Sequence, residues 1–163
     1  MAIQYHVAGA ALIRVDTGAS HALEDLGYTR DSAEIRFEGR FEELHSDDVG
    51  GEQGPPGDLN YLGEDATVRL ELVRWDAAVA DKLVTRLYDG TAGQPGPPGT
   101  LLLQDAKSFR LLVHSQATPM NFPRAILFGA IEINKGERHS RLVLEFRCLK
   151  DPTSGKLYDA TTT

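Results

Sequence analysis

Five histidines and one cysteine are the residues most able to do chemistry in this chain. A helix that binds zinc needs two histidines four positions apart on one face. His6, His21, His45, His114 and His139 contain no such pair, so each reads as a structural or exposed histidine. Cys148 stands in line with Leu142, Leu144 and Phe146 on the apolar side of an alternating segment. A thiol in those surroundings is poorly nucleophilic. Asp47, Asp48, Glu52 and Asp58 fall in one segment, but calcium takes about six to eight oxygens from tightly alternating positions. That alternation is missing, and a solvated acidic loop is expected. No Gly-rich stretch is followed by Lys-Ser or Lys-Thr, and no Gly-x-Ser-x-Gly elbow occurs. We therefore expect no catalytic residues, no metal and no cofactor.

The most informative ionisable residues lie in strict alternation. Glu34, Arg36, Glu38, Arg40 and Glu42 share one side of an extended segment whose other side holds Ile35, Phe37 and Phe41. Thr67, Arg69 and Glu71 repeat the pattern against Val68, Leu70 and Leu72. Two readings fit. One is the wet face of an antiparallel sheet. The other is the wall of a water-filled channel, where opposite charges on adjacent strands pair laterally.

These residues need strands to position them, and most of the chain reads in period two. Strands are expected over 5–15 with an interruption at Gly9, then 33–43, 66–74, 101–103, 109–113, 124–133 and 141–149. One segment differs. From Asp76 to Tyr88, Val79, Leu83 and Leu87 recur every four residues, the apolar stripe of a helix. Asp76 suits its N-cap and Gly90 its end. A weaker helical turn is expected at 21–26. Long loops are expected at 46–63 and 89–99, each holding a Gly-Pro-Pro-Gly string that no ladder or helix sustains. The expected fold is mainly β: an antiparallel β-sandwich or barrel with one flanking helix over about 76–88.

Composition sets the outer limits. The 163 residues suit a single domain spanning 1–163. Apolar residues at 41% and charged residues at 25% exclude a largely disordered chain. No apolar run reaches the ~18 residues of a membrane span. The N-terminus lacks the basic start and apolar stretch of a signal peptide, so synthesis in the cytoplasm without membrane insertion is expected. A net charge of −7 argues against an outer surface that grips nucleic acid. It does not argue against a surface that DNA slides past.

The order of these elements resembles the phage tail tube protein family. Leu23-Glu24-Asp25-Leu26-Gly27-Tyr28-Thr29-Arg30-Asp31 leads directly into the charged alternating strand. Asp47-Asp48-Val49-Gly50 is similar to the family's acidic turn, and Gly63-Glu64-Asp65-Ala66-Thr67-Val68 to the start of its next long strand. The resemblance covers roughly Gly18 to Tyr88; beyond that it rests on β content alone. It implies a fold shared with the hemolysin-coregulated protein of type VI secretion. It also implies a virion structural protein, assembled in the host cytoplasm, whose hexameric rings stack into a tube conducting DNA. Its partners would be further copies of itself, with tail sheath, tape measure, baseplate and terminator proteins.

On that resemblance, Glu34, Arg36, Glu38, Arg40, Glu42, Thr67, Arg69 and Glu71 would face the lumen. The loop holding Asp47, Asp48, Tyr61 and Leu62 would reach the neighbouring ring. Tail terminators and baseplate hubs belong to the same class of reading. A β-sandwich module binding a sugar or calcium is a different class, which calls for an aromatic platform. The lone Trp75, at the helix start, reads instead as core.

Overall fold

A computed structural model describes residues 3–6, 10–16, 22–45, 55–88, 109–114, 118–129, 131–136 and 140–160. The strands are β1 (Ile3–His6), β2 (Leu12–Asp16), β3 (Leu23–Leu44), β4 (Asp58–Trp75), β5 (Phe109–His114), β6 (Met120–Leu127), β7 (Glu132–Asn134) and β8 (Arg141–Cys148), with helix α1 at Ala77–Tyr88. All belong to one antiparallel sheet, ordered β1-β3-β2-β5-β6-β8-β4 with β7 on β8. Because β4 also pairs with β3, the path through β3, β2, β5, β6, β8 and β4 closes on itself. The fold is thus mainly β, with a single helix among the described residues, as the alternation predicts.

Closure puts the odd-numbered face of β3 and the even-numbered face of β4 inside. Ile35, Val68, Leu70, Leu72 and Phe146 are fully buried there with Ile13, Leu111 and Phe122. Helix α1 lays Val79 and Leu83 on this core. Its start is set by Asp76, whose carboxylate accepts the amides of Ala78 at 2.8 Å and Val79 at 3.1 Å. Near the base of the β3–β4 hairpin, Tyr158 meets the rings of Phe37 at 5.4 Å and Phe122 at 6.1 Å. Asp159 and Asn121 hold that segment by reciprocal backbone hydrogen bonds of 2.9 Å.

Several expected boundaries move. The span 5–15 divides into β1 and β2, and 124–133 into β6 and β7. Residues 23–26 are strand rather than a helical turn, because β3 must start there to pair with β2. The long loop is shorter than expected: residues 58–63, including Tyr61 and Leu62, are strand paired with 40–44. A bulge at Arg40/Phe41 hides this continuation from a period-two reading, and Gly63, at φ +121°, sits opposite Arg40 at the kink. Phe41 is 53% exposed rather than core, since it lies beyond the closed part of the sheet. Asp47, Asp48, the loop at 89–99 and the strand at 101–103 lie outside the described residues, and so does the side chain of Leu87.

The Leu-Gly-Tyr-Thr segment has a physical explanation at each inward position. Leu26 is buried, and Thr29 Oγ1 accepts the buried amide of Ala11 at 2.8 Å. At Gly27 a Cβ would lie 2.2 Å from the carbonyl oxygen of Arg74 and 2.8 Å from Trp75 Cα. Both are backbone atoms and neither can swing away. Gly27→Ala is therefore expected to destabilise the fold by an amount at or above the upper end of the ~1–3 kcal/mol typical of overpacking. Urea unfolding checks this; a midpoint unchanged from wild type would contradict it.

Candidate functional site

Strand register assembles the charged residues into one surface. Across β3, β4 and β8, Glu34 lies opposite Arg69, and Arg69 opposite Glu145. One step along, Arg36 lies opposite Thr67, and Thr67 opposite Arg147. The next rows place Glu38 opposite Asp65 and Arg40 opposite Gly63. Glu71 completes the face, within 3.6 Å of Arg141 and 3.9 Å of Arg30. Of the eight alternating polar residues named from the sequence, Glu34, Arg36, Thr67, Arg69 and Glu71 thus share the barrel's outer face within the rows paired with β8. Glu38 and Arg40 continue it along β3 just past the last residue paired with β8. Glu42 lies further out on the projecting hairpin, where Asn60 donates to it at 3.4 Å.

This surface is wet and mixed in sign. Arg36 and Glu38 pair along one strand at 2.9 Å. Shallow depressions follow the rows. One, of about 360 Å³, is bounded by Arg30, Ser32, Glu34, Arg69 and Glu71, and another, of about 170 Å³, by Arg36, Thr67 and Glu145. Neither encloses a ligand-sized apolar space.

Three members of the face were not singled out from the sequence: Asp65, Glu145 and Arg147. Arg147 holds Asp65 Oδ2 through Nε at 2.9 Å and Nη2 at 2.6 Å, with Arg40 Nε at 3.9 Å from Oδ1. The Asp65 side chain is only 9% exposed, so the guanidinium compensates most of its lost hydration. The signal was present in the alternation of Glu145 and Arg147 with Leu144, Phe146 and Cys148. With these residues included, five carboxylates (Glu34, Glu38, Asp65, Glu71 and Glu145) stand among four arginines (Arg36, Arg40, Arg69 and Arg147), so the face is mixed in sign with a slight acidic excess.

The second surface is the hairpin itself. Residues 38–44 and 58–65 run on as two strands with no third strand beside them among the described residues. At ~3.3 Å per residue this arm extends about 20 Å. Phe41 and Tyr61 face each other with ring centroids 5.5 Å apart. Leu44, Leu59, Tyr61 and Leu62 are all about half exposed. Tyr61 and Leu62 thus lie on a strand of the arm, not in a loop. Elsewhere, burial pushes the Cys148 thiol far above its ordinary pKa, which makes it inert at neutral pH. Among the described residues, no group of three His, Cys, Asp or Glu side chains is placed to share a metal ion.

The Asp65–Arg147 pair makes a direct test of how the face is held. Arg147→Met leaves a nearly buried carboxylate with only a distant arginine. Since Arg147 is 45% exposed, the expected loss is about 1–3 kcal/mol, below that of a fully buried pair. Adding Asp65→Asn should recover part of it. A double-mutant cycle by urea unfolding checks the coupling; additive losses would contradict it.

No family model and no curated protein matches the chain. Solved structures do. A chain from the tail of an empty gene transfer agent particle, determined with C6 symmetry, is 14% identical with a TM-score of 0.55, covering 93% of this chain and 96% of that one. A chain from the virion of a native gene transfer agent particle is 15% identical with a TM-score of 0.51, covering 84% and 88%. At these identities the likeness is one of fold alone, shared with chains of gene transfer agent particles.

Proposed function

We propose that this protein is a non-enzymatic structural subunit of a phage tail tube or a related injection tube. Six copies close a ring, rings stack, and DNA passes through the lumen. The observation that carries this reading is the sheet β1-β3-β4-β8-β7. It has a charged outer face, and its outer edges, on β1 and β7, are unpaired among the described residues. A monomer with such edges invites strand pairing from other chains, and a closed ring satisfies both edges at once. The likeness to a chain from a tail solved with C6 symmetry supports six as the ring number.

In this arrangement Glu34, Arg36, Glu38, Arg40, Thr67, Arg69 and Glu71, with Glu145 and Arg147, line the lumen. Arginines already paired with carboxylates bind phosphate weakly, because each contact to DNA must displace an existing partner. The wall stays hydrated and does not retain the payload. The β3–β4 arm, carrying Tyr61 and Leu62 with Asp47 and Asp48 between its strands, reaches the adjacent ring.

Electron microscopy of the concentrated protein is expected to show six-fold rings and tubes. A strictly monomeric protein would contradict the reading, and rings that never stack would indicate a terminator or hub instead. In assembled particles, Glu34→Lys with Glu38→Lys should leave tubes intact, since neither side chain is buried. It should slow DNA passage several-fold at low salt, with recovery as salt rises. Passage unchanged at every salt concentration would contradict the lumen assignment.

A further inference from the structure

The arm loses its neighbouring strands at the row of Phe37 and Ala66. Phe37 pairs with Ile3, the first residue of β1, and Ala66 with Cys148, the last residue of β8. Beyond this row β3 and β4 pair only with each other among the described residues. A two-stranded ribbon alone is marginal in water, so the angle at which it leaves the barrel is decided at its root. Leu59 lies roughly 23 Å past that row at ~3.3 Å per residue. A small change of angle at the root therefore displaces the outer arm by several ångströms.

The root is held from both faces. On the outer face Arg147 grips Asp65, the residue next to Ala66, at 2.6 and 2.9 Å. On the inner face the Tyr158 ring stands between Phe37 of β3 and Phe122 of β6, tilted by 52° and 48° to them. Both phenylalanines are buried, whereas Tyr158 is 44% exposed. Its ring closes the end of the barrel beneath the arm rather than filling the middle of the core.

This ring is anchored without help from the arm. Asp159 exchanges backbone hydrogen bonds with Asn121 of β6. The Asn121 side chain donates to Asp159 Oδ1 at 3.3 Å and accepts from Arg110 Nε at 3.1 Å. Asn121 is buried, so its amide needs these partners. Leu157 packs on the core beside it. A closed turn delivers the segment: Asp151 Oδ2 accepts the Ser154 amide at 2.7 Å, and the Asp151 amide donates to the Lys156 carbonyl at 2.9 Å. A strut fixed to β6 thus bears on β3 across the barrel mouth.

We infer that Tyr158 is a positioning residue, which acts through Phe37 to fix the angle at which the β3–β4 arm leaves the barrel. The role belongs to the single subunit, so it stands whether or not the chain builds tubes.

Distances between spin labels on the full chain test it. Leu59→Cys on the arm and Asp81→Cys on α1 replace exposed residues, and the buried Cys148 stays unlabelled. In dilute single subunits, Tyr158→Ala is expected to make the distance distribution about twice as wide, as suits a ribbon without support at its root. Tyr158→Phe keeps the ring and should keep the original width. Asp159→Pro removes the amide that donates to Asn121 and should also broaden the distribution; it carries the test if Tyr158→Ala does not fold. Val15→Ala, in a buried position paired with Glu24 and Leu111, should lower the urea midpoint without changing the width. An unchanged width in Tyr158→Ala overturns the inference. Broadening as large in Val15→Ala, or in Tyr158→Phe, overturns it too, because the arm would then report general loosening or a contact other than the ring.

Discussion

The pairing of β3 with β4 is the constraint on which the rest of the structure depends. It runs from Gly27 opposite Trp75 to Leu44 opposite Asp58, far beyond the ~5–6 residues of an ordinary strand. Over its middle it closes the circuit of strands and encloses the core. Over its far part it leaves the barrel and becomes the arm. At its near end Gly27 lets β3 approach the backbone of Arg74 and Trp75, and the backbone amide of Asp76 donates to the Leu26 carbonyl at 2.8 Å. Core, arm and helix placement all follow from this one long pairing, which bulges interrupt at Tyr28/Thr29, Thr29/Ala33 and Arg40/Phe41.

The same pairing settles the electrostatics. Successive side chains of a strand point to opposite faces. Once the apolar side of β3 and β4 is enclosed, the charges must share the outer side. Register then decides the neighbours: Arg69 falls between Glu34 and Glu145, and Asp65 falls within reach of Arg147 and Arg40. A face built this way is rich in charge yet has little excess of either sign. That property suits a wall that must hold water without holding a polyanion.

The barrel was legible in the sequence where alternation was uninterrupted. Ile35, Val68, Leu70 and Leu72 announce their burial by period alone, and the four-residue spacing of Val79 and Leu83 with Asp76 ahead of them marks the helix. Interruptions hid the rest. The bulge at Arg40/Phe41 breaks the period, so the paired outer part of β4 reads as loop. Gly129, at φ +78°, divides β6 from β7 within one apolar stretch. Thr29 is polar yet buried, its hydroxyl accepting the Ala11 amide, a contact no local pattern announces. The charged site was legible only strand by strand, because register between β4 and β8, more than 60 residues apart along the chain, is a tertiary property. That is why the pairing of Asp65 with Arg147 and the placing of Glu145 beside Arg69 emerge only in three dimensions.

The central claim is that the outer face of β3, β4 and β8 becomes an inner wall on assembly. Thr67 sits at the middle of that face, half-buried between Arg36 and Arg147. Thiol labelling of Thr67→Cys tests the claim most directly, with a small maleimide compared against one coupled to a polymer too wide for a tube lumen. On dissociated subunits both reagents should react. On assembled tubes the small reagent should still react, while the bulky one is excluded. Equal reaction of the bulky reagent with tubes and with free subunits would place this face on the outside and contradict the account.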